Sequence, residues 1–136
     1  QVYAGYTFNR STNRNSVGDN VESRRKGYNF SSHTPKHMFR LYTSYILPVD
    51  DGKWTVGLGL KSSSKTANSY GSIKQGGYTI WNTNVQYRPS KNLQLGLAVN
   101  NLTDKRYYEN QYSRAANSGS FYGEPRNAVF SLKWKM

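Results

Sequence analysis

His33 and His37 stand close enough in the chain to suggest a shared metal ion, and the adjacent Asp50 and Asp51 suggest a Ca²⁺ site or a catalytic carboxylate pair. Neither idea survives its surroundings. The chain has no cysteine, and no acidic residue lies at ligand spacing from the histidines, which read as strand-entry residues. Asp50-Asp51-Gly52 is an Asp-Gly turn signal that explains both carboxylates. There is no Ser-His-Asp constellation and no Gly-rich phosphate loop, so the expectation is a protein that is not an enzyme and binds no cofactor directly. What remains is aromatic and cationic chemistry: 12 tyrosines and a net charge of +12. That charge invites a nucleic-acid reading, but the cations are scattered over separate polar segments rather than gathered on one stripe. No nucleic-acid partner is expected.

The elements that must position these residues follow a period of two. In Asn127–Met136 the residues Ala128, Phe130, Leu132, Trp134 and Met136 alternate with Val129, Ser131, Lys133 and Lys135, the pattern of a strand with one dry face. Five earlier stretches read the same way: about Val2–Phe8, His37–Leu47, Lys53–Lys61, Tyr78–Arg88 and Leu93–Tyr108. Asn82, Asn84 and Gln86 share the second face of the fourth stretch, and three amides in a row suit a water-filled lumen better than a packed core. Mean hydropathy is −0.85 and hydrophobic residues are only 35%, while aromatics reach 15%. A transmembrane barrel, polar inside and girdled by aromatics, reconciles these values; composition alone fits a soluble β-sandwich about as well. No apolar run approaches the roughly 18 to 20 residues of a membrane-spanning helix.

The connections alternate long and short. Polar stretches at Asn9–His33, Ser62–Gly77 and Glu109–Phe121 are long, whereas Pro48–Gly52 and Pro89–Asn92 are short. Every long loop therefore falls at one end, as in outer-membrane barrels with long extracellular loops and short periplasmic turns. The expected fold is all-β: six antiparallel strands forming a wall of a transmembrane β-barrel in the bacterial outer membrane.

Four ordered segments then carry a resemblance. They are Thr34-Pro35-Lys36-His37 with Tyr45-Ile46-Leu47, the run Trp54–Leu60, the run Asn100-Asn101-Leu102-Thr103-Asp104-Lys105-Arg106-Tyr107-Tyr108, and Tyr122-Gly123-Glu124-Pro125-Arg126-Asn127. In order and spacing the chain resembles the C-terminal end of a TonB-dependent outer-membrane receptor, and within that family the ferric-siderophore receptors for coprogen and pyoverdine. Met136 departs from the phenylalanine with which the family usually closes. The resemblance implies a barrel of about 22 strands around an N-terminal plug. Residues 1–136 would then be the C-terminal part of the barrel domain, without plug or TonB box. No signal peptide opens the chain, whose first residues already read as strand, so further strands are expected upstream of Gln1.

The resemblance also implies partners: a ferric siderophore as transported ligand, the TonB complex acting through the plug, outer-membrane lipid and lipopolysaccharide, and the barrel-assembly machinery. Rings and cations hold such chelates by stacking, cation–π contact and charged hydrogen bonds. The substrate-binding candidates are accordingly Tyr70, Tyr78, Tyr112, Arg114 and Tyr122; an aromatic girdle is the competing reading of the tyrosines. Arg24, Arg25 and Lys26 could meet ligand or lipopolysaccharide phosphates, or form a solvated face. Asn100, Asn101, Leu102, Asp104, Tyr107, Gly123, Pro125 and Arg126 belong to the matched motifs and read as mainly structural. Two alternatives stay open: a small self-contained outer-membrane barrel or adhesin, and a soluble cationic module that binds polyanions.

Overall fold

The computed structural model describes residues 1–15, 26–27, 31–68, 73–111 and 119–135. Six long strands make one antiparallel sheet: β1 (Val2–Phe8), β2 (His37–Ile46), β3 (Trp54–Ser63), β6 (Tyr78–Tyr87), β7 (Leu93–Asn100) and β10 (Asn127–Trp134), side by side in that order. Each pairs with the neighbour that the short and long connections deliver. Two small hairpins lie in the long connections: β4 (Thr66–Ala67) with β5 (Lys74–Gln75), and β8 (Tyr108–Gln111) with β9 (Ser120–Tyr122). A 3-10 turn at Asp50–Gly52 joins β2 to β3.

Register turns the period of two into two faces. Phe130 pairs with Leu97, Leu97 with Val85, Val85 with Val56, and Val56 with Tyr45, so one row crosses five strands without leaving the apolar set. Leu132 with Leu95 and Ala4 with Leu41 extend the same face. The opposite face carries Gly57 beside Asn84, Gly59 beside Asn82, and Ser131 beside Gly96. A one-residue slip in any pair would invert a strand's faces, so the continuity of both rows fixes the register.

Among the described residues no second layer covers the sheet's apolar side. Among the described residues Ile80 is the one buried hydrophobic side chain, while Phe130 is 68% exposed and Leu132 63%. A soluble sandwich would bury that face against another sheet. Hydroxyls on the apolar face are already satisfied: Thr83 Oγ1 donates to the Gly57 carbonyl at 3.0 Å, and Thr79 Oγ1 to Ser62 Oγ at 3.0 Å. Such internal pairing is what a hydrocarbon environment demands. At the short-turn end, Trp54 stacks on Tyr87 with centroids 4.3 Å apart, and Trp134 and Tyr45 stand exposed on the same face. These rings form an aromatic belt at that end.

Glycines on the polar face make room for side chains lying flat over the ladder. A Cβ on Gly57 would stand 2.0 Å from Asn84 Oδ1 and 2.8 Å from Tyr42 Oη. Gln94 Nε2 donates to Gln86 Oε1 at 3.2 Å across neighbouring strands. Tyr42, an interruption of the apolar alternation in sequence, belongs to this layer, where its hydroxyl donates to Asn84 Oδ1 at 3.5 Å.

Two expectations need correction. The fifth stretch does not run to Tyr108: β7 ends at Asn100, because Asn101 and Asp104 adopt φ of 50° and 51° and turn the chain. The residues read as polar loop at Ser62–Gly77 and Glu109–Phe121 contain the two hairpins, whose strands are too short and too polar to show a period.

Candidate functional site

The long-loop end is held by one buried asparagine. Asn101 is 2% exposed, and its left-handed backbone is a conformation asparagine tolerates better than most residues. Its Nδ2 donates to the carbonyls of Lys105 (3.0 Å) and Glu124 (2.9 Å), while its Oδ1 accepts from the Lys105 amide at 2.9 Å. Asn82 Oδ1 accepts from the Asn101 amide at 2.9 Å. Asp104 Oδ1 accepts from the Arg126 amide at 3.0 Å. Asn100 Nδ2 donates to Asn127 Oδ1 at 3.0 Å, and Asn127 Nδ2 in turn donates to the Pro125 carbonyl at 3.2 Å. The Leu102 amide donates to the Trp81 carbonyl at 2.7 Å, although the Leu102 side chain is itself exposed. The two sequence motifs, some twenty residues apart, thus close on each other and tie the end of β7 to the entry of β10.

Two tyrosine pairs rise from this junction. Tyr78 stacks on Tyr107 with centroids 4.6 Å apart, and Tyr108 stacks on Tyr122 at the same separation, with hydroxyls 3.1 Å apart. Gly123 lies directly under the Tyr107 ring: a Cβ there would meet Tyr107 Cζ at 2.0 Å. The Gly123 amide donates to the Tyr107 carbonyl at 2.9 Å. Burial and the neighbouring Glu109 carboxylate push the Tyr107 phenol up to about 12, so it remains a neutral donor at any physiological pH. The Tyr108 phenol is also raised, chiefly by its hydrogen bond with Tyr122.

The hairpins are tied together by side chains that the sequence did not single out. Gln75 uses its amide as a short strand edge: Oε1 accepts from the Tyr108 amide and Nε2 donates to the Tyr108 carbonyl at 3.2 Å. Lys61 and Glu109 form an ion pair at 3.1 Å. The Ala67 amide donates to the Ser32 carbonyl at 2.9 Å, and Ser32 Oγ to the Asn68 carbonyl at 3.3 Å. All three long connections are therefore linked above the sheet. Among the described residues both amide atoms of Gln111, which is 3% exposed, find no partner, and neither does the hydroxyl of Ser120 opposite it in register.

Of the substrate candidates, Tyr78 and Tyr122 sit in the two stacked pairs, Tyr122 being well exposed. Tyr70, Tyr112, Arg114, Arg24 and Arg25 lie outside the described residues, and so does Met136. Lys26 is exposed in a turn beside Gly27. The structure does not bring His33 together with His37. His33 is exposed in a loop, and His37 Nδ1 shares a 2.7 Å hydrogen bond with the Tyr6 hydroxyl. Among the described residues no group of three or more His, Asp or Glu side chains gathers as a metal site. Asp50 pairs with Lys53 at 3.1 Å, which holds its carboxyl below the usual range.

Residues 1–102 match the model of the TonB dependent receptor-like, β-barrel family. The chain belongs to that family. Over 98% of its length it is 32% identical to the ferric-pyoverdine M114 receptor PbuA of a Pseudomonas strain. The pyoverdine outer-membrane receptor FpvA of Pseudomonas aeruginosa, solved with pyoverdine bound, superposes over the whole chain with a TM-score of 0.76 at 28% identity. The ferric-catecholate import receptor Fiu of E. coli K12 superposes over 98% of the chain with the same score at 26% identity. The chain spans 16% of PbuA, 19% of the FpvA chain and 18% of the Fiu chain, so it corresponds to about a sixth to a fifth of a TonB-dependent receptor. The open β1 and β10 edges are thus edges of a wall and not of a closed barrel.

Proposed function

We propose that this chain is the C-terminal part of an outer-membrane receptor that binds a ferric siderophore outside the cell and imports it with energy supplied through TonB. The carrying observation is the single-layer sheet, apolar on one face and amide-lined on the other, in a chain that aligns over nearly its whole length with ferric-pyoverdine receptors. The apolar face meets lipid and the amide face lines the lumen. The remaining strands, the plug and the TonB-contacting segment belong to polypeptide outside these residues. The wall has no catalytic step to perform. Its part is to hold the long-loop layer in place, where Tyr78 and Tyr122 offer rings to an anionic chelate; Tyr70, Tyr112 and Arg114, candidates by sequence alone, would add rings and a cation. The sequence cluster Arg24, Arg25 and Lys26 has the charge to suit lipopolysaccharide phosphates. The last strand serves recognition by the barrel-assembly machinery.

Pyoverdine is the favoured chelate, since ferric-pyoverdine receptors recur among the relatives. The test is uptake of labelled iron as ferric-pyoverdine by cells lacking their own receptors and expressing the intact one. Energy-dependent uptake is expected. Leu132→Lys should abolish it by blocking membrane assembly, because a lysine on the lipid face costs up to about 2–4 kcal/mol. Ser131→Lys, directed to the lumen, should preserve it. Uptake of ferric-catecholates alone would change the ligand. Assembly of Leu132→Lys together with failure of Ser131→Lys would overturn the face assignment.

A further inference from the structure

Where β3 and β6 reach the long loops, the apolar face ends in a concave pocket of about 450 Å³ lined by Ser62, Thr79, Trp81, Thr103 and Lys105 with the adjoining strand ends. Register places it at the rim of the lipid-facing band. Ala4, Leu41, Leu60 and Trp81 pair across four strands in one apolar row, and the next row toward the long loops is Tyr6, Phe39, Ser62 and Thr79. Hydrocarbon side chains thus give way to rings and hydroxyls within one step. Beyond them stand cations: Lys105 after the turn at Asn101 and Asp104, and Lys36, whose Nζ lies 5.8 Å over the Phe8 ring.

Among the described residues no carboxylate lines this pocket, and its polar groups are rich in donors. Ser62 Oγ already accepts from Thr79, which leaves the Ser62 proton to donate. The Trp81 indole N–H, a donor only, has no partner among the described residues, and neither has the Thr103 hydroxyl. Lys105 takes part in neither described ion pair, and Asp104 beside it gives Oδ1 to the Arg126 amide. Donors and a cation gathered at the edge of hydrocarbon stay unanswered unless an anion with several acceptor oxygens meets them. The position restricts that anion to an amphiphile. A headgroup fills the pocket while acyl chains lie along Leu60, Leu41 and the exposed Leu58.

Building on the receptor reading above, in which this face meets lipid, we infer that the pocket binds a phosphate of an outer-leaflet glycolipid, lipopolysaccharide, by residues other than Arg24, Arg25 and Lys26. Lys105 supplies the counter-charge, while Trp81, Ser62 and Thr103 offer N–H and O–H donors to the phosphate oxygens. Trp81 suits the boundary, since an indole ring packs with acyl chains and its N–H meets a headgroup. Long loops mark the extracellular end of such a barrel, so the leaflet at this height is the outer one.

Native mass spectrometry of the intact receptor, purified in detergent and titrated with bisphosphorylated lipid A, tests this. Lys105→Gln spares the fold, because the Lys105 amide and carbonyl, not its side chain, bind Asn101. Trp81→Phe keeps a ring and the carbonyl that takes the Leu102 amide. The wild type should retain lipid A, and Lys105→Gln/Trp81→Phe should bind it about tenfold more weakly or worse, since each change removes a hydrogen bond to a charged group. Lys133→Gln, at the other end of the wall, should bind like the wild type. Lipid A stripped of its phosphates should bind the wild type as weakly as the double variant binds the intact lipid. Heat-modifiable migration on gels checks assembly, and if the double variant fails it, Lys105→Gln alone carries the comparison. Equal lipid A binding by wild type and variant, or none by either, overturns the inference. So does phosphatidylglycerol held equally well and lost from the same variant, or displacement of the lipid by inorganic phosphate. Ferric-pyoverdine uptake by cells expressing the same receptor separates the two readings. Normal uptake without a lipid A difference removes this inference alone, and absent uptake by an assembled wild-type receptor removes the functional one.

Discussion

The two ends of the wall reverse the chain by different physics. At the long-loop end, Asn101 and Asp104 take left-handed backbones inside a web of hydrogen bonds that reaches twenty residues along the chain. At the short-turn end, Asp50, Asp51 and Gly52 also have positive φ, but the backbone bonds that close the turn stay within it: Gly52 to Val49 at 3.0 Å and Lys53 to Asp50 at 3.1 Å. The first junction is buried and non-local; the second is exposed and local. A motif needs specific residues where a buried side chain answers several backbone groups at once. A turn in water accepts many solutions.

The two ends differ most in what they lose when one side chain is cut, and the largest loss falls at Asn101. Asn101→Ala removes three side-chain hydrogen bonds and leaves buried partners unpaired, while placing alanine at φ 50°. The expected loss is about 3 kcal/mol, the sum of several net hydrogen bonds and their stranded partners. It should appear as a lower unfolding midpoint of the detergent-purified receptor on heat-shift gels. Asn101→Gly, which relieves the backbone but not the bonds, should recover only a small part. Full recovery by glycine would make this junction as local as the Asp-Gly turn.

The asymmetry also explains what could be read from sequence. Strands with one dry face announce themselves, and β1 falls on Val2–Phe8 as the alternation places it. The short turn was equally legible, because Asp-Gly acts through its own backbone. The end of β7 was not: Asn101 interrupts the dry set Leu93, Leu95, Leu97 and Val99, but a single polar residue does not mark a turn, and only the partners of Asn101 and Asp104 at Glu124 and Arg126 reveal one. The loop hairpins escaped for a related reason. Thr66–Ala67 and Lys74–Gln75 are too short for any period, and Gln75 works through a side-chain amide closing on Tyr108. The stacked tyrosine pairs were visible only as ring content, since stacking depends on which strand ends the junction brings together.

A smaller effect is expected at Gly123, which joins the motif to the ring layer. Gly123→Ala places a methyl where Tyr107 Cζ stands, so the ring must leave its stack on Tyr78. Losing an aromatic pair removes about 1 kcal/mol. Assembly should therefore persist while the loop layer loosens. Hydrogen exchange should quicken at Tyr107–Gln111 and at Ser120–Tyr122 with little change in β7, and Tyr107→Ala in the same background should add nothing further. Equal quickening in β7 would show that the ring supports the junction instead of resting on it.

The smallest effect belongs to the turn. The Lys53 ammonium hydrogen-bonds Asp50 and lowers its carboxyl below the ordinary range, though Asp50 is exposed and Lys53 only half-buried. A depressed carboxyl contributes stability above its unfolded value, and that contribution disappears as the pH falls through the folded value. Exposure to water leaves the pair weak. Asp50→Asn should thus leave the unfolding midpoint of the receptor unchanged within error at pH 7. Its only trace should be a slightly shallower decline of that midpoint on acidification below pH 4, relative to the parent. Asparagine also tolerates the left-handed backbone at this position, so the turn itself keeps its shape. A loss at pH 7 rivalling that of Asn101→Ala would mean that the short turn, too, is held by partners beyond itself.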